Sequence, residues 1–562
     1  MKNLMVLLLF VLVGTLLNAQ RLQLEKLVSY GGEGADKLQA FASDGNKNIY
    51  FMGQSSKELS LYDSVFVEND WEYLWPYYYG KLHDLNELVW SKSFFVNWHN
   101  TGCNPNNVDY RDGHALYFFP FEKAWIDGER YVNDPNPLSV VHVFSENIEE
   151  KKLHVREDGW ISSARLIGND NYLTSMSYIN RSSNNPRTPL YSFYSYEDSI
   201  LNFQPVVSYE LYRPSLEHPR RPGFGIHSIR EADTQNFFFV GTLTVYENAT
   251  VMIAGDTMDV EIPGWSEDRN GRRNFKVLGK VNAEGEVLKY KMWEDLTGTL
   301  SINDLAAGNN GDVFMAGSFT GTTNFGYATY TAQDRDIFIA KLDSNFNWTG
   351  VRNITGSKRL TPSTIILHES KEFGYLAGKF SKDITFDERY VSADSHNIFV
   401  SRFTEDLQWE GAGFIEGKGD CNMRGLDFYD GEKIVAGAWF TDEARVRNET
   451  VKSAGEEDFL FAVFDFDKYG DSPFSTEDLS SSTSDLTLYP NPAANGEFRV
   501  RCGVGIESAV FYTLSGAEVP VQLSGRGGEE LTVRVLTDKK QMIIGKFIDK
   551  NGNMEVRKIV VN

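Results

Sequence analysis

The chain has 562 residues, 41% of them hydrophobic and 14% aromatic, with 17 prolines. That composition belongs to a folded β-rich protein and excludes a disordered one. Acidic residues outnumber basic ones by 78 to 55, and the net charge of −23 excludes nucleic acid and anionic lipid as partners, since both would be repelled.

Residues 1–19 carry Lys2, an apolar run over 4–17 and then Asn18-Ala19. Such a run is too short to span a bilayer but suits a signal-peptide core, with cleavage between Ala19 and Gln20. No cysteine follows it, which argues against a lipid anchor, and no later stretch reaches spanning length. The mature chain is therefore expected to begin at Gln20, to be soluble, and to hold no integral membrane segment.

From residue 30 onward one pattern repeats. Asp336-Ile-Phe-Ile-Ala-Lys-Leu-Asp343 recurs as Asn397-Ile-Phe-Val-Ser-Arg-Phe-Thr404 and as Asp458-Phe-Leu-Phe-Ala-Val-Phe-Asp465, starting at 336, 397 and 458, a period of 61. Met315-Ala-Gly317, Leu376-Ala-Gly378 and Val435-Ala-Gly437 keep step with it. Earlier copies are weaker. Residues 40–53 read as strand, Asp-Gly-Asn turn, strand, and Tyr77-Tyr-Tyr-Gly-Lys81 followed by Trp90 matches 337–341 followed by Trp348. Two degenerate units fall within 114–207, and Phe237-Phe-Phe-Val-Gly241 with Val277-Leu-Gly-Lys280 forms a fourth.

A unit of this size cannot bury its own apolar faces, so the period implies a solenoid, a propeller or an array. Runs such as Phe459-Leu-Phe-Ala-Val-Phe464 are apolar at consecutive positions and need cover on both faces. A propeller supplies that cover between its blades. The stretch from Tyr30 to Gly470 holds about seven periods, which predicts an all-β, seven-bladed propeller over residues 20–470. The recurrent glycine is expected where a strand approaches its neighbour closely. These repeats resemble the β-propeller repeats of secreted bacterial proteins that carry Asp-Gly-Asn turns, an Ala-Gly strand end and an Asp-x-Phe-x-x-Lys-Leu strand. The resemblance implies a fold and leaves the activity open.

Residues 471–484, with Asp-Ser-Pro and a serine run, read as a linker. Residues 485–562 then alternate apolar and polar positions between turns, which predicts a small antiparallel β-sandwich. It opens on Tyr489-Pro490-Asn491-Pro492 and closes on Lys558-Ile-Val-Val561. This tail resembles the C-terminal sorting domain of the type IX secretion system of Bacteroidetes. The resemblance implies secretion through the periplasm of a Gram-negative bacterium to the cell surface or beyond, with that machinery as a partner. A valine-rich strand over 531–536 leading to Lys539-Lys-Gln, in place of the family's Gly-x-Tyr approach, and Cys502 inside the tail depart from the pattern.

Motifs for chemistry are sparse. There is no His-Glu-x-x-His pair and no Gly-x-Ser-x-Gly elbow. Gly413-Phe-Ile-Glu-Gly-Lys418 is one residue short of a phosphate loop and is followed by glycine. Asp465-Phe-Asp-Lys-Tyr-Gly470 and Asp549-Lys-Asn-Gly552 lack the glutamate that completes a calcium loop and read as turns. Cys103, Cys421 and Cys502 are too scattered for a zinc site or disulfide scaffold. No cofactor, metal site or catalytic residue is assigned. Asp304 and Asp427 fall near the starts of predicted inner strands and are the carboxylates best placed for a central channel. Trp71 and Trp75 precede the strand at 77–81 in a predicted loop and are the candidate ligand contacts, because exposed aromatics anchor sugars and protein interfaces. The sequence thus favours an exported, non-catalytic propeller that binds a protein or polysaccharide, over a propeller-fold polysaccharide hydrolase or lyase.

Overall fold

The computed structural model describes residues 21–467 and 486–561 apart from short stretches, the longest being 67–74, 98–107, 133–137, 179–187, 212–222, 262–272 and 514–518. The signal cleavage site Ala19/Gln20, the linker 471–484, Cys103 and Trp71 lie outside the described residues. The chain divides into two compact units, Met1–Ile384 with Ala393–Pro473, and Thr385–Ser392 with Phe474–Asn562.

The antiparallel sheets of the first unit divide into seven successive groups of four strands, several of them joined to the next group by an added hairpin. Blade 1 runs from Asp36–Ser43 to Glu87–Asn97, blade 2 from Val108–Arg111 to Glu150–Arg156, and blade 3 from Gly159–Gly168 to Ile200–Leu211. Blade 4 runs from Gly223–Asp233 to Val287–Glu294, blade 5 from Leu300–Ala307 to Trp348–Thr355, and blade 6 from Thr361–Leu367 to Trp409–Gly417. Blade 7 takes Cys421–Asp430, Lys433–Phe440 and Asp458–Asp467, and its fourth strand is the first of the chain, Arg21–Tyr30. Pairing Arg21–Tyr30 with Asp458–Asp467 in one sheet joins the two ends of the repeat region and closes the ring, so the sevenfold repeat becomes a propeller. The two degenerate units do form blades 2 and 3.

The core lies between blades. Phe238, Val240 and Leu278 of blade 4 pack with Leu305, Met315 and Phe338 of blade 5, and Phe51 and Tyr78 of blade 1 pack with Val435 and Phe461 of blade 7. Third strands such as Asp336–Leu342 are buried at nearly every position, which is why they read as continuous apolar runs. The recurrent glycine serves close approach. A Cβ on Gly317 would lie 2.1 Å from the Ser301 carbonyl and 2.5 Å from the Phe338 ring, and on Gly378 it would lie 2.6 Å from the Thr361 carbonyl. The recurrent lysine caps an aromatic: Lys81 lies over Tyr50, Lys280 over Phe238 and Lys341 over Phe314.

Hairpins between second and third strands seal the outer edges, where unpaired N–H and C=O groups would otherwise recruit other chains. Lys123–Ile126 of blade 2 pairs with the outer strand of blade 1, Ala249–Ile253 of blade 4 with that of blade 3, and Glu443–Val446 of blade 7 with that of blade 6.

The second unit is a two-sheet sandwich around Phe498, Phe511, Phe547 and Ile559. Its strand Thr487–Ala494 belongs to both sheets. Thr487 to Tyr489 pair with Glu497–Arg501, the register breaks after Tyr489, and Ala493 pairs with Val561 of the last strand. That last pairing is parallel, which corrects the expectation of a wholly antiparallel sandwich: the strand changes sheet across its two prolines.

Candidate functional site

Six of the seven inner strands carry a one-residue β-bulge, at Gln39, Ser162, His227, Asn303, Ser363 and Arg424. A bulge re-aims the side chains that follow it. Residues one and three places beyond it share a face, by the two-residue period of a strand. Those positions hold Ser163 and Arg165, Ser228 and Arg230, Asp304, Thr364, and Asp427. Together with Asp109 on the short inner strand of blade 2 they form a charged constellation at the axis.

The charged members are bonded across blade boundaries, whereas the buried Ser163 hydroxyl finds no partner among the described residues. Asp304 is buried, and its carboxylate accepts from Ser228 Oγ at 2.6 Å and Arg230 at 2.8 Å on blade 4, then from Thr364 Oγ1 at 2.8 Å and the Ile365 N–H at 3.1 Å on blade 6. Asp109 accepts the Leu166 N–H of blade 3 at 2.8 Å, and Arg165 donates to the Ile229 carbonyl of blade 4 at 2.9 Å. Asp427 accepts the Ser43 N–H of blade 1 at 2.8 Å and the N–H of Phe428 at 2.9 Å. The remaining junctions are held by Tyr50 stacked on Tyr110 at 4.7 Å, between blades 1 and 2, and by Tyr375 donating to the Glu432 carbonyl at 3.3 Å, between blades 6 and 7.

Burial dominates the protonation of this group. It lifts the Asp427 carboxyl to about 6, with the neighbouring Asp109 adding to the rise and the two N–H donors and Arg230 opposing it. It also lowers the Arg165 guanidinium to about 10, with Arg230 adding repulsion. An ionised carboxylate offers about four lone-pair directions, and Asp304 receives four donors, Ser228 on Oδ1 and Arg230, Thr364 and Ile365 on Oδ2. Asp427 holds two donors, and its carboxyl is lifted to about 6.

No family model matches the chain, and no curated protein matches it in sequence. Solved structures do align with it. A protein from Lactobacillus plantarum is 10% identical over 76% of this chain and 99% of that one, with a TM-score of 0.34. A member of the duf4221 family from Bacteroides vulgatus is 10% identical over 80% and 99%, with a TM-score of 0.29. An ACO/RPE65 chimera is 10% identical over 80% and 89%, also at 0.29. Likenesses at these scores carry no argument about activity.

Sequence reasoning found Asp304 and Asp427 and placed both on inner strands. They lie well inside those strands rather than at their starts, and one of them is committed to holding blades together. It missed Asp109, Arg165 and Arg230. A signal existed: Ser163-Ala-Arg165 and Ser228-Ile-Arg230 are the same tripeptide pattern at nearly the repeat interval. Trp75 was expected in a loop, but it is the first residue of the strand Trp75–His83 and pairs with Val96. The strand reaches further back than the aromatic run because the outer strand Glu87–Asn97 is long enough to pair with it.

A second site lies between blades 4 and 5, at the ends of strands opposite the turns that join first to second strands. It is a cleft of about 260 Å³ whose walls include Thr242, Asn274 and Lys276 from blade 4, and Ser301, Ser318 and Arg335 from blade 5. Lys276 is buried and donates to Thr242 Oγ1 at 3.2 Å, and Thr242 Oγ1 lies 2.8 Å from His227 Nε2. Burial, with the Lys276 charge adding to it, lowers the His227 imidazole to about 4, so its ring is neutral and accepts the Thr242 hydroxyl proton. Cys421 and Cys502 are free and buried, and burial raises the Cys421 thiol to about 12. Among the described residues no group of three or more His, Cys, Asp or Glu is placed to hold a metal, and no helix is long and apolar enough to cross a membrane.

Proposed function

We propose that this chain is an exported β-propeller that binds a protein or polysaccharide at or outside the cell surface without transforming it, and that its C-terminal sandwich is the address read by type IX secretion. The commitment of the Asp304 carboxylate to four protein donors supports the first part. Glycosidic chemistry needs two available carboxyl groups about 5 to 10 Å apart, and at this axis the best-buried carboxylate is spent on Ser228, Arg230, Thr364 and Ile365. Trp71 and Trp75 are the proposed ligand contacts. The second part draws on Tyr489-Pro490-Asn491-Pro492 lying where one strand passes between two sheets, and on the buried Ile559 and Val561 of the final strand.

The second reading, a polysaccharide hydrolase or lyase, draws on Asp427 with its carboxyl near 6. Two experiments separate these. A chain ending at Ser484 is expected to fold and stay in the periplasm, and its appearance in the medium at normal levels would overturn the address. Incubation of the mature protein with a panel of polysaccharides is expected to release no reducing or unsaturated ends. Turnover that is lost in Asp427→Asn would instead establish the enzyme.

A further inference from the structure

The cleft between blades 4 and 5 departs from the rest of the molecule in charge. The chain carries 78 acidic residues against 55 basic ones, yet none of the eight residues lining this cleft is acidic, and two are cations facing it from opposite blades. Lys276 is fixed deep in the wall by its bond to Thr242, whose own proton is directed to the neutral His227. Arg335 is held at the backbone, where its carbonyl accepts the Leu360 N–H, while its half-buried guanidinium makes no hydrogen bond or ion pair with any described residue. A guanidinium fork next to an ammonium, partly withdrawn from water, is a strong receptor for a planar or tetrahedral anion.

The rest of the wall defines what else the ligand carries. Ser301 and Ser318 offer both donors and acceptors, and Asn274, whose Oδ1 accepts from Thr244 at 2.9 Å, offers its amide N–H groups, as ring hydroxyls require; no aromatic residue lines the cleft to stack a nucleobase. At about 260 Å³ the space falls just below that of drug-sized ligands, which start at about 300 Å³, and so suits a single ring. We infer that this cleft is a subsite for one sugar ring bearing an anionic group, a carboxylate or a sulfate ester, with Arg335 and Lys276 on the anion and the serine and asparagine side chains on the ring hydroxyls. The inference deepens the binding reading given above and rests on it.

The test uses the full mature chain with glucuronate, glucose 6-sulfate and glucose, measured by ligand-observed NMR and calorimetry. At least one acidic sugar is expected to bind at least tenfold more tightly than glucose, and which one does so names the anionic group. Arg335→Gln is expected to weaken that binding at least tenfold with an unchanged melting temperature. Lys276→Met, which keeps the apolar stem, is expected to weaken it similarly. Equal binding of glucose, full affinity in Arg335→Gln, or no binding of either acidic sugar would each overturn the subsite. The outcomes also separate it from the broader reading: polysaccharide turnover with acidic-sugar binding intact removes the non-catalytic reading and leaves the cleft standing, whereas no turnover and no sugar binding does the reverse.

Discussion

At the ring axis Arg230 sits 2.8 Å from Asp304, and the same carboxylate reaches both adjoining blades. In the cleft between blades 4 and 5, by contrast, Arg335 and Lys276 line a space with no acidic side chain in its walls. Both regions are polar, both lie at blade boundaries, and blades 4 and 5 contribute to each. The difference is in how the charges are used. At the axis each charge is matched by a partner on another blade, so the group fixes the ring; in the cleft the Arg335 side chain has no partner among the described residues, and the hydrogen bond from Lys276 to Thr242 stays within its own blade. A charged cluster inside a propeller is therefore no sign of an active site until its hydrogen-bonding capacity has been accounted for.

Breaking the axis should have the largest effect. Asp304→Ala leaves the Arg230 guanidinium, two hydroxyls and the Ile365 N–H without their acceptor, and is expected to cost about 3–5 kcal/mol in chemical denaturation. A loss under about 1 kcal/mol would show that water replaces the carboxylate and that the axis is not a structural pin. Gly317→Ala comes next. Its Cβ would meet the Ser301 carbonyl and the Phe338 ring, so a destabilisation of about 1–3 kcal/mol is expected, and because Ser301 lines the cleft, sugar binding should weaken with it.

Asp427→Asn sharpens the comparison through pH. The native carboxyl holds its proton up to about 6 against the ordinary 3.8 of an aspartate, so the folded chain binds that proton more tightly than the unfolded chain does. The group's contribution is most favourable below the lower value and is lost as pH rises through the window to the higher one. Asp36 is lifted by burial to about 6 as well and adds to the same trend. Melting curves from pH 4 to 7.5 should therefore move in favour of the asparagine variant as pH rises, and parallel curves would refute the assignment. The smallest effect on stability belongs to the cleft. Arg335→Gln should stay within about 0.5 kcal/mol of the parent, because its side chain holds no described partner. A larger loss would make the cleft another structural junction.

The repeat itself was legible because its causes are local. Close approach requires glycine at 317 and 378, burial on both faces requires the apolar runs at 337–342 and 459–464, and the cation over Tyr50, Phe238 or Phe314 requires a lysine at one strand position. These requirements recur in several blades and so leave a period of 61 in the sequence. Division of the chain by that period was enough to reach seven blades, even where blades 2 and 3 had lost the glycine and lysine. Trp75 shows the limit of local reading, since the extent of a strand depends on the length of the partner it pairs with.

The axial constellation and the cleft had no such trace. Asp109, Arg165, Arg230, Asp304 and Asp427 come from five different blades, and Ser43 and Asp427 meet across a sequence separation of 384. Ring closure brings them together, and only the bulges in the inner strands decide which of their side chains share a face. The sequence by itself determined the strands, the period and the count of blades, because burial and backbone contact act on every repeat alike. Whether a given aspartate is engaged from two neighbouring blades or an arginine is left facing a cleft was decided by the tertiary structure alone, because hydrogen-bond partners are neighbours in space that the order of residues along the chain does not specify.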